Sequence, residues 1–204
     1  VANGVANLIG ADIEFVCQEW DGMIPALLAN KFDLIIASMS ITEERKKKVD
    51  FTIKYYNTPA RLVAKTDPGF DGTASGLNGK RLGVQRATTH QCSAEKLYPG
   101  AEIVLYATQE EVWQDLVAGR LDAQLSDSLQ AYEGFLALDA GKGYDFLGEN
   151  LDDVECQGVG AGFTVRKEDS ALRDQLSQVI LDIRADGTYK ALNDKYFAVD
   201  IYGS

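Results

Sequence analysis

From Arg81 to Leu138 the sequence alternates short strand-like runs with amphipathic ones, and this restricts the fold more than any other feature. Arg81–Gln85 reads as a strand, Thr89–Leu97 as a helix and Glu102–Tyr106 as a second strand. Thr108-Gln109-Glu110-Glu111 then fits a capping box, followed by apolar Val112, Leu116 and Val117 with Gly119 behind them. Ala123–Leu125 is a third strand and Leu129–Leu138 another helix. Strands and helices alternating at this spacing build βαβ units, hence parallel sheets covered by helices.

The flanking stretches carry similar patterns. Val1, Val5, Leu8 and Ile9 follow i, i+4, i+7, i+8, with Gly10 as a C-cap. Val1 already lies on that apolar stripe and no cap precedes it, so the expectation is a helix that begins upstream of this sequence. Ile13–Cys17 reads as a strand, Gly22–Asn30 as a short helix, Leu34–Ile36 as a buried strand and Glu43–Val49 as a charged helical turn. Arg61–Ala64 is extended, and Asp67–Gly79 is a glycine-rich loop. Gly158–Arg166 reads as a glycine-rich strand. Leu172, Leu176, Val179, Ile180 and Ile183 line one helix face, and Tyr189, Leu192 and Tyr196 another.

Composition narrows the function. The 204 residues carry a net charge of −11, which argues against broad binding of nucleic acid or anionic membranes. No apolar run approaches the ~18 residues of a membrane span, and no basic stretch leads into an apolar one as in a signal peptide. One histidine (His90) and three cysteines without a C-x-x-C pair supply too little for a structural zinc site, so no metal or cofactor is expected. Cys17, Cys92 and Cys156 allow one disulfide plus a free thiol, or none; packed thiols are the expectation.

Three clusters stand where a strand meets a helix, the place at which open α/β sheets bind ligands. Ala37-Ser38-Met39-Ser40-Ile41-Thr42-Glu43-Glu44-Arg45 offers hydroxyls and a planar guanidinium fork. In Gly83-Val84-Gln85-Arg86-Ala87-Thr88-Thr89-His90 a strand ends and Thr88 or Thr89 begins a helix, whose N-terminus favours anions. Leu125-Ser126-Asp127-Ser128 offers one carboxylate. Each alone also reads as an ordinary cap beside a solvated side chain. Together they complement a zwitterionic α-amino acid: a carboxylate clamp, hydroxyls and an ammonium acceptor. No nucleophile–base pairing, P-loop or G-x-G-x-x-G is present.

At these residues the sequence closely resembles the periplasmic substrate-binding proteins of polar amino acid ABC transporters, the lysine/arginine/ornithine and histidine type. The matching stretches are Trp20-Asp21-Gly22-Met23-Ile24-Pro25-Ala26-Leu27, Ile36-Ala37-Ser38-Met39-Ser40-Ile41-Thr42-Glu43-Glu44-Arg45, and Val49-Asp50-Phe51-Thr52 with Tyr55-Tyr56. They continue in Leu77-Asn78-Gly79-Lys80-Arg81-Leu82-Gly83-Val84, Ala118-Gly119-Arg120-Leu121-Asp122-Ala123, Ala185-Asp186-Gly187-Thr188-Tyr189 and Asn193-Asp194-Lys195-Tyr196-Phe197, so the likeness runs along essentially the whole chain.

The resemblance implies an α/β, two-lobe periplasmic-binding-protein-like fold of type II, each lobe a mostly parallel sheet with flanking helices. Lobe one would be 1–58 plus 160–204, lobe two 61–156, with hinge strands near 58–61 and 156–160. It implies that Arg45 grips the α-carboxylate with Ser38, Met39 and Ser40 beside it. Thr88 and Thr89 would donate from lobe two, Asp127 would take the α-ammonium, Trp20 would pack on the ligand side chain and His90 would help to choose it. Against the family pattern, the expectation is that this sequence starts after the family's first strand, and it departs from the pattern at Ala37 and Ala87, where a third hydroxyl and a glycine are common. The implied function is periplasmic capture of a polar or basic L-amino acid for an ABC transporter permease in the inner membrane, with no catalysis. The alternatives are a cyclohexadienyl dehydratase-like enzyme, for which Glu155 or Glu133 would be the acid, and the ligand-binding domain of a sensor. A monomer is expected, with a dimer that covers or swaps the missing strand as the alternative.

Overall fold

The computed structural model describes residues 2–197 and 199–203, and for 2, 3, 6 and 7 the backbone alone. In chain order its elements are α1 (Ala2–Ile9), α2 (Met23–Leu28), α3 (Glu43–Lys46), β1 (Asp50–Tyr56), β2 (Ala60–Lys65), β3 (Arg81–Gln85), α4 (Thr89–Leu97) and β4 (Glu102–Tyr106). There follow α5 (Gln109–Val117), β5 (Ala123–Asp127), α6 (Ser128–Ala131), β6 (Tyr144–Leu151), α7 (Val154–Gln157), β7 (Ala161–Val165), α8 (Ser170–Ala185) and α9 (Thr188–Tyr196). The chain divides into two compact units. One comprises Val1–Gln18, Gly22–Asn57 and Gly158–Ser204, the other Glu19–Asp21 and Thr58–Gln157.

In the first unit β1 pairs antiparallel with β7, Phe51 opposite Thr164 and Tyr56 opposite Ala161. Side chains alternate across a strand, so Phe163 and Val165 share the face that packs on Leu176, Val179 and Ile180 of α8 and Val5 of α1. Two sequence expectations fail here. Ile13–Cys17 forms no strand: it has no ladder partner among the described residues, and Phe15 and Val16 are exposed. Leu34–Ile36 contributes a single bridge, Ile35 to Thr164. An apolar run supplies a face, but a strand also needs a neighbouring edge for its N–H and C=O groups. In α1, Leu8 is exposed although the helical spacing puts it on the core stripe, and Val1 lies outside the described residues.

The second unit is a five-stranded sheet in the order β4-β3-β5-β2-β6. β3 runs parallel to β4 and β5, while β2 runs antiparallel to β5 and β6. The sheet is therefore mixed, and in the first unit the described ladder is antiparallel; the expected parallel pairing is confined to the βαβ stretch, because only those strands are joined by helical crossovers. Ala60 and Leu62–Ala64 of β2 are apolar and buried because both faces of the strand are covered, while Arg61 is half-buried and Lys65 exposed. Leu62 and Ala64 meet Leu82, Val84, Leu125 and, from α4, Ala94. Val63 faces the other way, onto Val112 and Leu116 of α5 and onto Phe135. Gly83 in β3 lies close under its neighbours: a Cβ there would sit 2.3 Å from Leu121 Cδ1 and 3.0 Å from Val112 Cγ1, so those side chains would have to shift. The capping box at α5 forms as the sequence predicts, with Thr108 and Glu111 exchanging side-chain-to-backbone bonds.

The expectation of packed thiols is corrected for all three cysteines, and the alternative of one disulfide plus a free thiol is what the structure shows. Cys92 in α4 and Cys156 in α7 form a disulfide, with Cα atoms 5.5 Å apart, while Cys17 is free and exposed. Disulfide formation depends on how Cβ vectors meet in space. The packing of α7 on α4, with Gln157 Nε2 donating to Ser93 Oγ at 2.6 Å and Lys96 bridging Asp153 and Glu155, has no signature in cysteine spacing.

Candidate functional site

In the second unit, β3 continues through α4 to β4 on one side, and the chain returns through α5 to β5 on the other. Crossovers that part in this way leave a crevice beyond the carboxyl ends of the two central strands. Thr88, Thr89 and His90 follow β3, and Asp127 ends β5. Thr88 caps α4: its hydroxyl accepts from Gln91 N–H at 3.2 Å and donates to Gln85 O at 2.6 Å. Thr89 is buried and opens the helix, where the peptide dipoles concentrate positive charge. Trp20 belongs to the same unit, and its indole N–H donates to Ala87 O at 3.0 Å.

Asp127 is the electrostatic centre of this half. Its Oδ1 accepts from Leu129 N–H at 2.9 Å and Gln130 N–H at 3.0 Å, and its Oδ2 accepts from the Thr58 hydroxyl. All three donors are neutral, and no cationic side chain among the described residues pairs with it. Burial pushes its pKa above the usual aspartate value despite those hydrogen bonds. A carboxylate that is desolvated, oriented and short of positive charge can pair with an ammonium group.

In the first unit, Ser38 takes a left-handed conformation (φ +59°) and its N–H donates to Tyr55 Oη at 3.0 Å. Thr42 caps α3 by accepting from Arg45 N–H, and the Arg45 guanidinium reaches back to Ser40 O at 2.9 Å. Desolvation pushes the Arg45 pKa down to about 10, so it remains a cation at neutral pH while having lost much of its hydration. Such a cation gains more from a carboxylate than an exposed one does. Ser40 is half-buried beside it. Met39 differs from its neighbours: its side chain is 2% exposed in the core and its carbonyl accepts from Gly162 N–H, so it serves as packing rather than as a side-chain contact.

Sequence reasoning missed Thr58 and Tyr55 as support for Asp127 and Ser38. Thr58 lies 69 residues from Asp127, and nothing in local spacing links them. The glutamates named for the enzyme alternative lack the surroundings of a pocket acid: Glu155 pairs with Lys96 at the surface, and Glu133 is exposed. Among the described residues no helix is long and apolar enough to cross a membrane.

The chain is similar to an L-arginine-binding protein of Pseudomonas aeruginosa, at 47% identity over the whole chain and 80% of that protein. It is 40% identical to a histidine-binding periplasmic protein of Escherichia coli, again over the whole chain and 79% of the relative. Among solved structures, an ancestral arginine-binding protein bound to arginine superposes with a TM-score of 0.86 at 32% identity, covering 97% of this chain and 85% of that one. The model of the bacterial extracellular solute-binding proteins, family 3, matches residues 1–199. With relatives of this identity along its whole length, the chain belongs to that family, the bacterial extracellular solute-binding proteins, family 3.

Proposed function

We propose that this chain captures a polar or basic L-amino acid in the periplasm and delivers it to an ABC transporter permease. In this reading Arg45 of the first unit takes the α-carboxylate with Ser38 and Ser40 beside it. Asp127 of the second unit takes the α-ammonium, and Thr88 and Thr89 donate to the carboxylate. Trp20 and His90 meet the ligand side chain. The observation that carries the reading is Asp127: three neutral donors orient its carboxylate, and burial leaves it in need of a cation. The relatives named for arginine and histidine support the ligand class. The Cys92–Cys156 disulfide supports an oxidising compartment.

A thermal-shift screen against the common amino acids and ornithine tests the proposal. A ligand at a hundred times its Kd adds about 2.7 kcal/mol to native-state stability. For a chain of this size that is a rise in Tm of about 5–10 °C. Arginine, histidine, lysine or ornithine should give it, and a flat response to every amino acid would overturn the reading.

A further inference from the structure

The loop that precedes the α4 ligand groups is held in an uncommon shape. Ala87 adopts a left-handed conformation, φ +58°, which a residue with a Cβ disfavours. Contacts on both sides of it hold it there. Its N–H donates to Gln91 Oε1 at 2.8 Å, and its carbonyl accepts from the Trp20 indole at 3.0 Å. Beside this contact, Asp21, which follows Trp20, accepts at Oδ2 from Nε of Arg86, which precedes Ala87, at 2.7 Å. Arg86 is itself anchored at its backbone, its N–H donating to Tyr106 O at 2.9 Å. The ion pair and the indole bond thus join the Trp20 turn to the Arg86–Thr88 loop at two adjacent points.

We propose that Asp21 and Arg86 are positioning residues for ligand binding: their ion pair seats the Trp20 turn on the Arg86–Thr88 loop and so keeps the strained Ala87 and the start of α4 in the ligand-ready conformation. This rests on the amino acid-binding reading above. Neither side chain needs to touch the ligand. Their contribution is to order two segments before the ligand arrives, which removes that entropy cost from binding. Both side chains are partly exposed, so the pair is open to salt screening.

Calorimetric titration of the full chain with L-arginine and L-histidine, at low and at moderate salt, tests this with Asp21→Asn, Arg86→Gln and the double variant. Both single variants should weaken binding roughly three- to tenfold at low salt, the double variant should be no worse than either single, and the unliganded Tm should not move. The native affinity should fall more steeply with added salt than the variants' affinities do. A plain field effect on a cationic ligand gives a different pattern: Asp21→Asn weakens binding while Arg86→Gln strengthens it. That pattern, or singles within about 1.5-fold of native, would overturn the inference while the native titration leaves the amino acid-binding reading standing. Native protein that binds neither amino acid would overturn both.

Discussion

Replacing Asp127 by asparagine separates the proposed ligand role of this residue from its structural one. Asparagine keeps an oxygen for the Leu129 and Gln130 N–H groups, and as an N-cap it matches aspartate. The Thr58 hydroxyl can rotate to accept from the new amide. Stability in urea should therefore change by no more than about 1 kcal/mol. Binding should change far more, since removing one partner of a buried, hydrogen-bonded charge pair costs about 2–5 kcal/mol. Asp127 is only part-buried, so the lower end applies, about 30-fold in Kd at 1.36 kcal/mol per decade. The pH dependence supplies a second readout. A carboxyl whose folded pKa lies above its unfolded one adds stability as it protonates, so the unliganded protein gains from this group as pH falls through the raised value, above 3.8. A bound ammonium favours the charged form, so affinity should fall as pH falls through the same window, and the variant should lose that slope. Calorimetry at several pH values measures both. An Asp127→Asn protein that binds within threefold of native, with the same pH slope, would refute the assignment of Asp127 to the ammonium.

Arg45→Ala should weaken binding more than tenfold by calorimetry, and Arg45→Lys should recover only part of it, because an ammonium keeps the charge without the planar fork; near-native affinity for the alanine variant would remove Arg45 from the site. Reducing the Cys92–Cys156 bond, which closes a 64-residue separation, should lower stability by about 4 kcal/mol in urea unfolding with and without reductant, and a loss under 1 kcal/mol would contradict the loop-entropy account. Gly158→Ala should destabilise by about 2 kcal/mol or more, since it combines φ +74° with a Cβ 2.1 Å from Ile41 O. Gly119→Ala, with φ +72° and open space around it, should cost only about 1 kcal/mol, and equal losses for the two glycines in chemical denaturation would argue against the clash.

The parts of the fold legible in the sequence are those governed by local chemistry. The βαβ stretch shows its strands and helices because each has its own apolar period, and the α5 capping box shows because Thr108 and Glu111 are three residues apart. The N-caps Thr42, Thr88 and Asp127 are legible for the same reason. β6 carries no comparable pattern signal: its sequence (YDFLGENL) mixes acidic residues and glycine into its run, and it is a strand because β2 offers it an edge. Ile13–Cys17 shows the converse, an apolar run with no ladder partner among the described residues.

At the candidate site the sequence by itself determined the chemical inventory: a guanidinium, hydroxyls, one carboxylate and an indole, each beside a helix start. Residue type and spacing suffice for that. Tertiary structure decided what each group experiences. It placed Met39 in the core, brought Thr58 onto Asp127, joined Cys92 to Cys156 and set Asp21 on Arg86. These outcomes depend on which distant segments share a neighbourhood and on how much water is excluded there. Desolvation in particular belongs to an assembled environment and not to a residue, which is why the raised pKa of Asp127 and the lowered one of Arg45 appear only once the chain is folded.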